Sequence, residues 1–446
     1  MITLLLILLF SVLGVLLGVC TGLIPGLHVN TISVILISTI SAVVTILSPL
    51  STYGLPLAFI PLIIACLFVS TSISHSFHNA IPATFLGVPD EDTAVSMLPA
   101  HRLLLQGRGY EAVALSAIGS FGAVATCFIL LYLVRFLLGE PVMLYTTLRE
   151  IMVYILIAVS ILMITTEKGR IYLPGVSGIL PSILGILSAA GLFILSGMYG
   201  LIALSLPAYS PFNLPSNTLL PILTGLFGAP TIIVSLLTKP VIPEQTMKPV
   251  SIKKPYKTSS VISVLTGTIA GLIVSIIPGV TSSTGTIIAM NTRGRSNDEQ
   301  TIITLSAVNT AAAFYTITML FIIQRARSGV AIIVNNLINV EYWSGLLIPE
   351  NLLYLLIAVL LSGGLSYIST LWLGRVYANR ITRLPYHTIL TAVLFFIVTL
   401  VIVFTGLTGL IIFLVGSCIG LIPVLWGVRR SHCMGVLIIP VILYFL

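Results

Sequence analysis

Two clusters of small polar side chains follow two helix breakers, and their types suit one kind of chemistry. After Pro25-Gly26 come His28, Asn30 and Thr31; after Pro278-Gly279 come Thr281, Ser282, Ser283 and Thr284. Hydroxyls, amides and the free N–H groups at a helix start are neutral donors, and neutral donors converging on one point suit the oxygens of a carboxylate or phosphate. Such a set binds an anion and needs no catalytic partner. Serine and threonine in membrane helices also bond locally to their own backbone, so one isolated hydroxyl would carry no such meaning. Two clusters at matching broken positions do.

Other polar residues call for different chemistry. Asp90, Glu91 and Asp92 are three of only twelve acidic residues and stand in a row. Buried, one of them would couple a cation such as Na⁺ or H⁺; in a solvated loop they would mean little. Asn309, in an Ala-rich run, suits ion coordination, a second layer around the substrate, or plain interhelical bonding. Arg102 and Arg108 could draw in an anion, or serve as ordinary loop anchors of topology. A zinc site from His75, His78, His101 and a carboxylate lacks any HExxH-type signature. No nucleophile–base pair, P-loop or dinucleotide fingerprint occurs, which argues against an enzyme and against ATP-driven transport by this chain alone. No cofactor is expected beyond a coupling ion.

The elements that must position these groups are apolar helices. Gly14, Gly18, Gly22, Pro25, Gly26 and Thr31 align without a gap, at an offset of 253, with Gly267, Gly271, Ser275, Pro278, Gly279 and Thr284. Small residues every four positions share one helix face and admit a close neighbour. Pro-Gly then ends the helix, and broken backbone inside a membrane is tolerated only where protein buries it or a cavity receives it. The reading is therefore of two related halves, an inverted repeat, meeting at their breaks: residues 1–238, a basic linker over 239–257, and residues 258–446. The linker carries five lysines against Glu244 and is broken by prolines. It belongs on the cytoplasmic side.

Composition agrees. Of 446 residues 57% are hydrophobic and only 7% are charged, where soluble domains carry about 25% charged residues. The net charge of +8 sits in short loops, which fits topology rather than nucleic-acid binding. The five cysteines have no metal-like spacing and behave as small hydrophobes. Residues 1–19 lack a basic start and a cleavage site, so the first segment is expected to stay. Hydropathy predicts an all-α polytopic protein of the cell membrane with roughly ten to fourteen membrane segments, broken or re-entrant pieces included. Residues 55–70 form one of them and 71–111 a largely polar stretch; 387–405 and 410–425 are separate segments, and the tail from 434 is too short to span.

Several blocks together resemble the TctA (DUF112) family, the large membrane subunit of tripartite tricarboxylate transporters. Gly22-Leu-Ile-Pro25-Gly26-Leu27 looks like its N-terminal Gly-x-x-Pro-Gly-Leu motif. Leu86-Gly-Val-Pro89, Leu98-Pro-Ala-His-Arg102 and Gln106-Gly-Arg-Gly-Tyr-Glu-Ala112 are similar to its most recognisable block. Leu220-Pro-Ile-Leu-Thr-Gly225-Leu-Phe-Gly228, Ile277-Pro-Gly279 and Ala307-Val-Asn-Thr-Ala-Ala312 resemble later ones. The resemblance implies a secondary transporter of organic anions such as di- or tricarboxylates, driven by a cation gradient. It also implies a small membrane subunit and an extracytoplasmic binding protein as partners, beside the lipid bilayer. Asp90-Glu-Asp92 and His28-Val-Asn30 depart from the family pattern and mark a divergent, archaeal-type branch. A second reading is a polyprenyl-phosphate translocase, since Pro278-Gly-Val-Thr-Ser-Ser283 also looks like a lipid-carrier motif; a lateral groove open to lipid would favour it. An intramembrane metal hydrolase is the third.

Overall fold

The computed structural model describes residues 2–24, 33, 40, 42–53, 56–57, 59–87, 97–167, 180–214, 216, 218–238, 242–247, 256–277, 280–293, 297–383 and 385–446. Among them there is no strand. Among the described residues, nine helices are long and apolar enough to cross a membrane, or ten when the bent pair 144–150 and 152–165 counts as one span. The expected ten to fourteen segments included broken and re-entrant pieces, which this count of full spans leaves out.

In the first half α1 (Ile2–Leu23), α2 (Phe59–His78), α3 (Ala80–Phe85), α4 (Met97–Leu105) and α5 (Gly109–Leu138) are followed by α6 (Leu144–Glu150) and α7 (Met152–Thr165). Then come α8 (Leu180–Ser205) and α9 (Leu219–Thr238). The second half holds α10 (Tyr256–Ile276), α11 (Ser282–Arg293), α12 (Asp298–Ile322), α13 (Gly329–Leu337), α14 (Glu350–Arg380), α15 (Tyr386–Trp426) and α16 (Gly435–Phe445).

The glycine rows do what their spacing predicts. A methyl group at Gly14 or Gly22 would lie 2.8 Å from the Cβ of Ser70 or His78, and one at Gly18 would lie 2.6 Å from the Thr71 carbonyl oxygen. In the second half a methyl at Gly267 or Gly271 would meet the Cβ of Ala307 at 2.7 Å or Ala311 at 2.6 Å. Real side chains do not approach so closely, so these crossings require glycine. Because the paired numbers rise together, α1 runs parallel to α2 and α10 parallel to α12. Gly285 of α11 lies over Ala270 and Val308, and the Arg293 guanidinium donates to Ser263 Oγ at 2.6 Å and Thr304 Oγ1 at 3.2 Å. So α11 runs back along α10 as a re-entrant half-helix about 18 Å long.

The halves pack through each other. Cys66, Ser70 and His78 of α2 reach Tyr354, Ala358 and Ser369 of α14 in rising order. Arg108, Ser120 and Phe128, at the start of and along α5, meet Glu299, Ser306 and Phe314 of α12 in the same sense. Between α5 and α14 the order reverses: Tyr110 pairs with Arg375, Phe121 with Tyr367 and Val124 with Gly363. Hence α1, α2 and α14 point one way and α5, α10 and α12 the other.

A second matched set of contacts joins α8 to α16 and α9 to α15. Pro230 cannot donate to the Leu226 carbonyl, and α9 widens into a π-turn over Thr224–Gly228 just before it. The Leu226 oxygen lies against Gly420; likewise the Val436 oxygen, which Pro440 cannot bond, lies against Gly200. Gly225 faces the Phe413 carbonyl and Gly435 faces that of Phe193. Glycine on one helix and a proline-freed carbonyl on the other let the backbones touch. The sequence pattern is there too, since 193 and 200 match 413 and 420 at an offset of 220, while 225 and 230 match 435 and 440 at 210.

Three local expectations meet the structure differently. The stretch 71–111 is not simply polar, because α2 and α3 carry the span on to Phe85 and bury it. Its hydroxyls bond backward to their own helix, as Thr71 Oγ1 to the Leu67 carbonyl and Ser76 Oγ to that of Ile73, both at 2.8 Å. The two segments 387–405 and 410–425 join as α15, but Gly406 at φ 62° and ψ −153° breaks it between them. The break is covered by the loop after α8, from which Ser210 Oγ donates to the Val403 carbonyl at 2.6 Å. The tail is a half-helix, α16, of 11 residues.

Candidate functional site

Of the residues singled out by sequence, Pro25, Gly26, His28, Asn30, Thr31, Asp90, Glu91, Asp92, Pro278 and Gly279 lie outside the described residues. The second cluster is described, and it is buried. Thr281, Ser282, Ser283 and Thr284 are at most 7% exposed and form the first turn of α11. Thr281 caps that turn: its Oγ1 accepts from the Thr284 N–H at 3.4 Å, and its carbonyl accepts from the Gly285 N–H at 2.9 Å. One turn on, Thr286 Oγ1 returns to the Ser282 carbonyl at 2.7 Å. Ser282 Oγ points across to Asn309 Oδ1 of α12, 3.5 Å away. The helix start therefore delivers hydroxyls and backbone N–H groups into the protein interior, beside a carboxamide.

Asn309 also lines a small enclosed cavity of about 10 Å³, with Ser76, Asn79, Thr84, Ser116 and Ser306 among its other walls. That is room for about one water-sized occupant. Ser116 and Ser306 share a hydrogen bond of 2.7 Å, and Ser76 shares one of 3.1 Å with Thr310. All six of these side chains offer oxygen and none is charged. Sequence reasoning missed most of them. The signal was present in the run Ser70-Thr71-Ser72-Ile73-Ser74-His75-Ser76-Phe77-His78-Asn79, where a polar side chain stands at eight of ten positions of an otherwise apolar span.

The cationic candidates are occupied elsewhere. Arg102 pairs with Asp298 at 3.0 Å; Arg108 pairs with Glu111 at 2.7 Å and Glu299 at 2.9 Å. The Glu111 hydrogen bond comes first in holding the Arg108 guanidinium above its ordinary pKa, with burial opposing and Glu299 adding to it. These pairs tie α4 and the start of α5 to the start of α12. There Asn297 and Gln300 form a capping box, and Asp298 and Glu299 complement the helix dipole. The arginines thus act on packing and are not directed at the hydroxyl cluster. His78 donates or accepts at Ser74 and Ser369, His75 contacts Thr21 Oγ1, and no group of three metal-type side chains stands together among the described residues.

One further buried charge lies apart from this cluster. Glu167, just after α7, accepts from the Arg429 N–H at 2.9 Å and from His432 Nε2 at 2.8 Å. Burial works to raise its pKa; the bonds from His432 and Arg429 overcome this and hold it near 2.

A bundle of apolar helices, a re-entrant half-helix and an uncharged polar centre define a multi-pass integral membrane protein. The chain belongs to the Tripartite tricarboxylate transporter TctA family, which it matches over residues 8–435. It is a membrane permease of that type, and the family's systems include a small membrane subunit and a binding protein. An uncharacterized protein of Methanocaldococcus jannaschii is 30% identical over 444 residues, covering 98% of this chain and 99% of that one. No solved structure matches it.

Proposed function

We propose that the protein is a secondary transporter of an organic anion, a di- or tricarboxylate, and not an enzyme. The observation that carries this is the buried first turn of α11, from Thr281 to Thr284, where Ser282 Oγ faces Asn309 Oδ1 in the protein interior. A carboxylate there would gain hydrogen bonds and the helix dipole without facing a fixed charge.

The coupling cation, Na⁺ or H⁺, belongs beside it. The cavity between Ser116, Ser306 and Asn309 suits a dehydrated Na⁺, because hard cations take oxygen ligands, and an anion across Ser282 would offset the charge. Alternating access would come from an inverted repeat, a reading supported by the opposite directions of α1 and α2 against α10 and α12. The end that gathers Arg102, Arg108, Arg293, Arg375, Arg380 and Arg383, near the Lys-rich linker, then faces the cytoplasm. A small membrane subunit and an extracytoplasmic binding protein would complete the system.

Uptake of labelled di- and tricarboxylates into proteoliposomes tests this. A cation gradient should drive uptake of at least one acid, and Asn309→Ala and Ser282→Ala should each lower it about tenfold with unchanged thermal stability. No uptake of any acid under Na⁺ and proton gradients, with folded protein in the vesicles, would refute the reading.

A further inference from the structure

A groove of about 640 Å³ opens on the side of the protein, at the end where α14 finishes and α15 begins. Its walls are almost wholly apolar, with Leu23, Ile24, Ile389 and Phe396 among them; Tyr377 and Arg380 supply the polar edge. The volume is that of a ligand site. We propose that it seats one acyl chain of an anionic phospholipid, with the lipid phosphate on Arg380.

Three observations carry this. Arg380 is exposed and makes no ion pair with a described residue, and Arg383, three residues on, is exposed as well. By contrast Arg375, one turn earlier, is already spent on Tyr110, donating to its hydroxyl at 2.9 Å and lying over its ring. A guanidinium at the edge of an apolar trough, with a second exposed one three residues on in sequence, matches a phosphate attached to a hydrocarbon chain. Next, the trough runs along α15 from Ile389 to Phe396, seven residues or about 10 Å. That accommodates part of one acyl chain and is far too short for a polyprenyl chain. Finally, none of its lining residues belongs to the hydroxyl cluster of α11 or to the cavity at Asn309. The groove is a lipid seat and not the cargo path, so it lends no weight to the polyprenyl-phosphate reading. On the proposed orientation it lies in the cytoplasmic leaflet, where anionic lipids concentrate.

The occupant would wedge between the end of α1, just ahead of the first Pro-Gly break, and the α14–α15 corner. Native mass spectrometry of the full chain, titrated with phosphatidylglycerol or phosphatidylcholine of equal chain length, reads it directly. One phosphatidylglycerol should bind ahead of phosphatidylcholine, and Arg380→Gln should cut that preference about fivefold, the share expected of one guanidinium. Ala392→Trp, which fills the trough and leaves the rim charges, should abolish retention. Equal retention of both lipids by the wild type would overturn the proposal. So would full retention by Ala392→Trp, which would mean pairing at the rim with no chain in the groove. Tighter binding of a polyprenyl phosphate than of phosphatidylglycerol would overturn it in favour of a carrier lipid.

Discussion

The α1–α2 and α10–α12 crossings use the same glycine spacing to opposite chemical ends. Against Gly14, Gly18 and Gly22 lie Ser70, Ser74 and His78; against Gly267 and Gly271 lie Ala307 and Ala311. In the first crossing the side chains at the contact are polar and work: Ser74 Oγ donates to the Val15 carbonyl at 2.9 Å, and His78 Nε2 meets Ser369 Oγ at 2.9 Å. In the second the contact is alanine, and the polar residues Ser306, Asn309 and Thr310 stand on other faces of α12, towards α5, α11 and α2. Packing is what recurs between the halves; the chemistry has moved to different faces. The two crossings share a packing device and differ in their polar side chains.

The largest expected effect breaks both crossings at once. Gly18→Leu and Gly271→Leu should each cost about 3 kcal/mol or more, the upper range of overpacking, because backbone lies in the way. A Cβ at Gly18 meets the Thr71 carbonyl oxygen at 2.6 Å, and one at Gly271 meets that of Val308 at 2.7 Å. Loss of the monodisperse peak in size-exclusion chromatography, equal for the two, is the expected result. A large loss at one and a small loss at the other would show that only one crossing bears on the fold.

The next effect separates the crossings. His78 and Tyr315 hold matching places if α2 and α12 are aligned on Ser70 with Ala307 and Ser74 with Ala311. His78→Leu should cost about 2 kcal/mol, since it strips polar partners from Ser74 and Ser369 in a buried setting. Tyr315→Phe should cost about 1 kcal/mol or less. Uptake per folded molecule should fall with the first and stay unchanged with the second. Equal effects on uptake would dissolve the contrast.

What the sequence made legible follows from length and locality. The glycine rows needed only a four-residue period and the helix start after Pro278-Gly279 only a break, all local, so both could be read directly. Gly406 was legible as a gap between two apolar runs. The contacts of Gly200 with Val436 and Gly420 with Leu226 were not, because they join short segments over 190 residues apart and involve carbonyls that Pro230 and Pro440 cannot bond as i+4 donors. The polar wall at Ser116, Ser306 and Asn309 was hidden for a related reason. Each residue alone is an ordinary helix serine or asparagine, and only the crossing of α5, α12 and α2 brings their oxygens together.

A smaller effect sharpens the asymmetry in the second set of contacts. His432, before α16, corresponds at the 210 offset to Ile222 of α9; both are fully buried. On the His432 side stands an ion, Glu167, whose pKa is held near 2 despite burial. Its folded pKa lies below the ordinary carboxyl value of about 4.3. The stabilisation is therefore complete above about pH 5 and is lost as pH falls towards 2. Thermal unfolding in detergent should show that decline in the wild type, and a flatter acid limb in Glu167→Gln. Superimposable acid limbs would mean that Glu167 contributes nothing there.

The smallest effect tests the premise that glycine in these helices marks contact. Gly191 of α8 has nothing within 4 Å of where a Cβ would lie. It therefore gains nothing from its missing side chain and carries the backbone entropy cost of an interior helix glycine. Gly191→Ala should raise stability by about 0.5–1 kcal/mol, the helix-propensity difference. Gly200, nine residues on in the same helix, should do the reverse, because the Val436 carbonyl fills the space. Opposite signs for two alanine substitutions in one helix would establish that contact, not composition, places the glycines. Destabilisation by Gly191→Ala would point instead to a partner seated against that face of α8.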